Sequence, residues 1–514
     1  MNGAQTLIRT LVDAGVDVCF ANPGTSEIHM VAALDAVPRM RGILTLFEGV
    51  ATGAADGYGR MTGRPAATVL HLGPGLTNGL ANLHNAMRAR TPIVNIVGDH
   101  ATYHKQYDSP LESDVEAYAK QVSLWIRTVR GPAAVAADAA EAVAAALGPP
   151  GGIASLIVPA DVSWASADPP NAPLPRRSRP AAPASVLDGA GRALRKGEPC
   201  ALLLGGSALQ PAGLKSASRI AQRTGARLFC ETFPARLERG AGLPALERLA
   251  YLPELVRDQL AGLAHLIVVD AKAPVSFFAY QNNPSYLVPD GCSVYTLTTP
   301  RQDASSALEG LADAVDARNV APLVQASQRP DLPTGPLNPD SIACTLGALL
   351  PGGAIVVDEG VTSSLFTPSQ TAGAPPHSWL CLTGGAIGLG MPLAIGAAVA
   401  CPDRKVINLQ ADGSAMYTLQ ALWTQAREKL DVTTVVYSNR AYAILNMEMA
   451  RLGGPPPGPR ALSMFDFSNP TLNFASLARS MGVNAARAET AEDFTRYFSA
   501  AMSERGPYLI EAII

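Results

Sequence analysis

Two polar residues, each just past an apolar β-branched run, carry the densest chemistry in the sequence. Val406–Gln410 runs into Ala411-Asp412-Gly413-Ser414, and a helical pattern follows through Leu419, Leu422, Trp423 and Ala426. A second run, Thr433–Tyr437, ends in Ser438-Asn439-Arg440-Ala441-Tyr442. Consecutive parallel strands joined by a helix are normally neighbours, so Asp412 and Asn439 fall at one sheet edge. A carboxylate and an amide oxygen, with a nearby backbone carbonyl, suit a hard cation such as Mg²⁺. Gly413 and Ser414 open a helix, whose free N–H groups and dipole favour a phosphate. Taken singly, Asp412 reads as a helix cap and Asn439 as a turn residue. The joint pattern, strand–Asp-Gly-Ser–helix–strand–Asn–x–x–Tyr, reads as a metal–diphosphate anchor.

A glutamate and a histidine come next. Glu48 sits among Leu44, Leu46, Phe47 and Val50, where a charge is costly without a task or a partner. A capping or ion-paired role is the alternative. His71-Leu72-Gly73-Pro74-Gly75-Leu76-Thr77-Asn78-Gly79 follows a strand and reads as a tight, Gly-rich substrate loop. A histidine there can orient a carboxylate or shuttle protons, or simply be satisfied in a turn. His100 and His104 are weaker candidates for the pocket wall, since nothing in their spacing selects them.

The elements that position these residues follow from length and periodicity. The chain has 514 residues, 48% of them hydrophobic and 16% charged, with a formal net charge of −3. That size is enough for about three domains. Pro-rich stretches at Asp168–Pro183 and Gln328–Pro339 read as linkers, which divides the chain into 1–165, 185–325 and 338–514. Strands are expected at Val18–Ala21, Ala67–Leu72, Ile93–Gly98 and Ile153–Val158 in the first part. In the second they are expected at Ala201–Leu204, Leu228–Cys230, Leu266–Asp270 and Ser293–Leu297, and in the third at Ala354–Val357, Val406–Gln410, Thr433–Ser438 and Tyr508–Ile513. Continuous apolar runs alternating with helical patterns predict an α/β protein of three consecutive doubly wound domains with mainly parallel sheets.

Composition excludes several classes. The near-balanced charge leaves no basic footprint for nucleic acid and no polybasic membrane patch. Gly360–Pro402 contains no charged residue, but its glycines and Pro392 fit a buried loop and helix better than a membrane span. No signal peptide is visible, and seven dispersed cysteines without a Cys-x-x-Cys pair predict reduced thiols, a cytoplasmic location and no structural zinc.

With these motifs in view, the chain resembles the thiamine diphosphate (ThDP) enzymes of the acetolactate synthase, benzoylformate decarboxylase and pyruvate decarboxylase superfamily. That family carries Gly-Asp-Gly and, some thirty residues later, Asn-Asn. Here Ala411 replaces the first Gly and Ser438 the first Asn, while Asp412, Gly413 and Asn439 are kept. The resemblance implies Mg²⁺ held by Asp412, Asn439 and the carbonyl of Ala441, with Gly413, Ser414 and Tyr442 beside the cofactor. It makes Glu48 the group that activates the cofactor's aminopyrimidine and His71 a second catalytic residue. Asn22-Pro23-Gly24-Thr25-Ser26-Glu27 matches a family segment, with Thr25 near the cofactor. In Thr383–Pro392, the Gly385 carbonyl would accept from the pyrimidine amino group and Ile387 would wedge the cofactor into its bent form. Thr362, in Glu359-Gly360-Val361-Thr362-Ser363, would contact the diphosphate. Phe278, Tyr280, Ile444 and Leu445 would line the substrate pocket.

The resemblance also implies a homodimer or dimer of dimers with active sites at the subunit interface. It implies a small 2-oxo acid as substrate, decarboxylated and then ligated to a second carbonyl compound, as in acetolactate synthesis. FAD is not expected, because Gly205-Gly206-Ser207 lacks a dinucleotide fingerprint. Release of an aldehyde, favoured by His71, is the first alternative. A catalytically silent homologue serving as a binding or regulatory subunit, motivated by Ala411 and Ser438, is the second.

Overall fold

The computed structural model describes residues 1–451 and 456–514. Its packing divides into two units: Met1–Arg176 with Pro330–Thr371 and Leu382–Ile514, and Arg177–Arg329 with Ala372–Cys381.

In the first unit, the N-terminal part folds as β1 (Val18–Asn22), β2 (Arg41–Leu44), β3 (Ala66–Leu70), β4 (Ile93–Asp99), β5 (Trp125–Thr128) and β6 (Ile153–Pro159). All are parallel, in the order β2-β1-β3-β4-β6-β5. β3, β4 and β6 are buried throughout, as continuous apolar runs require when helices cover both faces.

The second unit holds β7 (Cys200–Leu204), β8 (Arg227–Cys230), β9 (Leu237–Arg239), β10 (Glu247–Arg248), β11 (His265–Val269) and β12 (Ser293–Thr298). Five of these form a parallel sheet in the order β10-β8-β7-β11-β12. β13 (Ile355–Glu359) belongs to the first unit, whereas β14 (His377–Cys381) belongs to the second and pairs antiparallel with β9. The C-terminal part of the first unit adds β15 (Val406–Ala411), β16 (Val432–Ser438), β17 (Asn484–Ala488) and β18 (Tyr508–Ile513). These run parallel in the order β17-β18-β16-β15-β13. The protein is thus α/β with mainly parallel sheets, as expected.

Each expected strand is present, with ends that agree to within two residues. The expectation lacked β2, β5, β9, β10, β14 and β17. β2, β5 and β10 lie at sheet edges and β17 ends the order above. Edge strands are covered on fewer sides, so their sequences mix charge with apolar residues (Arg41, Arg127, Arg487) and lose the signature of a buried strand.

Two helices of the first unit meet at unusually short range. Glu48–Thr62 follows extended Phe47 and ends at Gly63, whose φ of +65° suits a glycine cap. Gly390–Ala400 is apolar all round and buried from Gly390 to Ala398, the mark of a core helix. A Cβ on Gly57 would overlap the Leu393 carbonyl oxygen, and one on Gly396 would overlap that of Ala54. Glycine is needed there because the backbones approach directly. At 11 residues this helix is far short of a bilayer, and no helix among the described residues is long and apolar enough to cross a membrane.

Candidate active site

Glu48 opens its helix with 7% exposure, so its carboxylate lies at the favourable end of the helix dipole. Two amides hold it: Asn22 at the end of β1 donates to Oε1 at 3.1 Å, and Asn78 donates to Oε2 at 3.0 Å. Its surroundings are therefore more polar than its sequence neighbours imply, and Leu46 points outward with 45% exposure. Gly75 keeps the space beside Oε1 open.

His71 stands next to this group. The expected loop is helical instead: Leu72–Ala89 is one helix, with His71 at its N-cap and Leu72 at a φ of +52°. The sharp turn aims His71 at Glu27, whose Oε2 lies 2.8 Å from Nδ1. Ser26 Oγ is 3.2 Å from the same nitrogen and donates to Glu27 Oε1 at 2.6 Å. Glu27 is fully buried and also accepts from the Gly24 N–H. An acceptor on Nδ1 fixes the proton there and leaves Nε2 as the nitrogen open to a ligand. In the sequence the only trace of Glu27's role is a carboxylate five residues past the end of β1.

Asp412 is 1% exposed at the end of β15. It accepts from Gly413 N–H at 2.8 Å and Arg440 N–H at 2.6 Å, which ties it to the turn after β16. Burial pushes its carboxyl up to about 6, against those two N–H groups, which pull it down. Asn439 Oδ1 accepts from Ala441 N–H at 3.0 Å, and Arg440 between them has a φ of +58°. Carboxylate, amide oxygen and backbone carbonyl are all hard donors, and a divalent cation would offset the cost of an ionised Asp412 in this setting. The residues fit Mg²⁺. No group of three His, Cys, Asp or Glu among the described residues could hold a metal, so any site here relies on amide and carbonyl oxygens. Tyr442 packs over Gly413, where a Cβ would strike its ring. The helix after Asp412 is a single turn, Asp412–Ala415, and the Ser414 hydroxyl bonds to the Ala411 carbonyl at 3.0 Å.

The Gly-rich loop before the Gly390 helix is held from two sides. Asn85 accepts from the N–H groups of Gly384 and Ala386 at 3.1 and 3.3 Å and donates to the Ala386 carbonyl at 2.7 Å. Glu359, at the end of β13, accepts from Gly388, Leu389 and Gly390. Gly385 is exposed at a φ of +74° and Ile387 half-buried, so both remain open to a ligand. Nothing in the sequence marks Asn85 or Glu359 for this role, because their partners are brought together only by folding.

The other expected residues are dispersed. Thr25 is exposed, while Thr362 is half-buried beside Val361, at a φ of +51°. Ile444 and Leu445 begin the helix Ala443–Arg451, half-buried and 42% exposed respectively. Phe278, 62% exposed, and Tyr280 lie in the second unit. His100 Nε2 is 3.1 Å from Ser109 Oγ, with the His104 ring 5.3 Å away. A polar cavity of about 1230 Å³ beyond β4, β5 and β6 is lined by Asp99, Lys105 and Arg127, among others, and by none of the expected catalytic residues.

This combination of parallel sheets, buried glutamate and oxygen-donor turn defines a ThDP-binding protein, and family comparison agrees. "Thiamine pyrophosphate enzyme, N-terminal TPP binding domain" matches residues 1–122, and the corresponding C-terminal TPP binding domain matches 362–512. The chain belongs to the thiamine pyrophosphate enzyme family. It is 59% identical to "Putative acetolactate synthase large subunit IlvX" of Mycobacterium tuberculosis, over all of this chain and 99% of that protein. It is 28% identical to benzoylformate decarboxylase of Pseudomonas aeruginosa, over 97% of this chain and 96% of that one. Among solved structures, the thiamine diphosphate-dependent 4-hydroxybenzoylformate decarboxylase of Rhodococcus jostii RHA1 superimposes with a TM-score of 0.86 at 26% identity, covering 99% of this chain and 98% of that one.

Proposed function

We propose that this protein decarboxylates a small 2-oxo acid with ThDP and Mg²⁺ and ligates the retained fragment to a second carbonyl compound. The observation that carries the reading is the buried Glu48 carboxylate gripped by Asn22 and Asn78. The match to a relative named as an acetolactate synthase large subunit supports the ligation step.

When bound, ThDP would supply the electron sink that takes up the bonding pair left behind as CO₂ departs. The rest falls to the chain. Asp412, Asn439 and the Ala441 carbonyl would hold Mg²⁺, Gly413, Ser414 and Thr362 would serve the diphosphate side, and Thr25 would lie near the cofactor. Gly385, Ile387 and Tyr442 shape the cofactor's seat. The Glu48 carboxyl group would hydrogen-bond the cofactor's aminopyrimidine. His71, oriented by Glu27, presents Nε2 to the substrate. Domains at 1–165, 185–325 and 338–514 give the family's pyrimidine, middle and diphosphate parts. The active form is a homodimer or dimer of dimers, completing each site across a subunit interface, and reduced thiols suit a cytoplasmic location.

The Glu27–His71 pair favours a second reading, release of an aldehyde, since an oriented imidazole is suited to deliver a proton. Incubating the ThDP–Mg²⁺-loaded protein with aliphatic and aromatic 2-oxo acids, and separating acyloin from aldehyde products, tests both. Acyloin or acetohydroxy acid as main product supports ligation, and aldehyde alone replaces it with the second reading. Failure to take up ThDP overturns both.

A further inference from the structure

We propose that Glu359 is a positioning residue: its buried carboxylate clamps the N–H groups of Gly388, Leu389 and Gly390, and so fixes the loop that presents Gly385 and Ile387 to the cofactor. The proposal rests on the ThDP reading for what the loop presents, but the clamp itself rests on geometry alone.

Glu359 is 2% exposed and lies among apolar strands, where an ionised group needs several donors to persist. It has four. Oε1 accepts from Gly388 N–H at 2.7 Å and Leu389 N–H at 3.2 Å; Oε2 accepts from Gly390 N–H at 2.6 Å and Gln410 Nε2 at 2.8 Å. Three successive backbone N–H groups converging on one carboxylate form an anion nest, which Glu359 fills. Two glycines make the approach possible. Gly388 has a φ of +95°, and a Cβ on Gly390 would fall 2.8 Å from Asn408 Oδ1 and 2.9 Å from Glu359 Oε2.

The clamp has a consequence for Ile387. Asn85 pins the loop at Gly384 and Ala386, and Glu359 pins it from Gly388 onward. Ile387 is thus held from both sides without its own backbone being used as an anchor. Gln410 also donates to Ser414 Oγ at 2.5 Å, so the same network reaches the turn that carries Asp412. Through Glu359, the pyrimidine-side loop and the diphosphate-side turn share one buried anchor.

The test has two arms. In the wild-type apoprotein, amide hydrogen exchange of 388–390 should be slow, and in Glu359→Gln, which turns one acceptor into a donor facing these N–H groups, at least about tenfold faster. Strand β15 should exchange as before. Calorimetric titration of apo Glu359→Gln should show ThDP–Mg²⁺ affinity at least about tenfold lower, with Mg²⁺–pyrophosphate, which lacks the pyrimidine, changed less than about twofold. Glu359→Asp, which keeps the charge, should recover part of the ThDP loss. Fast exchange at 388–390 in the wild type overturns the clamp even if no variant folds. Equal losses for ThDP and pyrophosphate overturn its role in positioning the loop. A wild type that binds no ThDP counts against the cofactor reading, and the exchange arm still decides the clamp.

Discussion

Glu27 Oε2 lies 2.8 Å from His71 Nδ1, joining the turn after β1 to the turn after β3. The two strands are hydrogen-bonded neighbours, so a carboxylate and an imidazole far apart in sequence meet at the sheet's carboxyl edge. Gly24 and Gly98 leave the room: a Cβ on either would collide with His71 or Glu27.

This pair yields the first prediction. His71→Ala should lower kcat by about 10²–10⁴-fold if the imidazole moves a proton. Glu27→Gln should fall between wild type and His71→Ala, because the amide can still accept from Nδ1 without the charge. Steady-state kinetics with product analysis checks both, and unchanged rates in His71→Ala would remove the residue from the reaction.

Glu48→Gln should abolish turnover while leaving the fold intact. The substituted amide must turn a donor toward Asn22 or Asn78, a local cost of about 1–3 kcal/mol, small beside the loss of the carboxylate they hold. Circular dichroism with single-turnover decarboxylation separates the two effects. Near-normal rates would refute the role.

Asp412 makes a prediction about pH. Its folded-state pKa is raised from 3.8 to about 6 by burial. A raised carboxyl means that the folded apoprotein binds the proton more tightly than the unfolded chain, so this group's contribution to stability is lost as pH rises through about 6. Mg²⁺ competes with that proton, so metal affinity should fall as pH drops below about 6. Titrating ThDP–Mg²⁺ into the apoprotein from pH 5 to 8 checks the sign. Asp412→Ala should weaken binding throughout and flatten the profile.

Gly396→Ala should destabilise the first unit although it adds one methyl. The new Cβ would overlap the Ala54 carbonyl oxygen, forcing the Glu48 and Gly390 helices apart. Overpacking of this kind costs about 1–3 kcal/mol, readable as a lower Tm. Because the displaced Ala54 helix carries Glu48, kcat should fall too. An unchanged Tm would show that the helices yield without cost.

By itself the sequence determined the α/β class and most of the buried strands, β14 excepted, and it marked residues suited to chemistry. Those features are local: a buried parallel strand must be continuously apolar, and Asp-Gly-Ser after such a strand is legible where it stands. The edge strands β2, β5, β10 and β17 were not legible, because half-covered strands carry no distinctive pattern. Nor was the continuation of the His71 turn as a helix, since Gly and Pro at its start signal a loop as readily as a first turn. Tertiary structure alone decided what the polar residues do to one another. Glu27 reaches His71 across adjacent strands, Asn22 and Asn78 converge on Glu48, and Glu359 closes on the amides of 388–390. The physical reason is the same in each case: a buried charge is tolerated only where distant segments deliver its partners, and that delivery is a property of the fold.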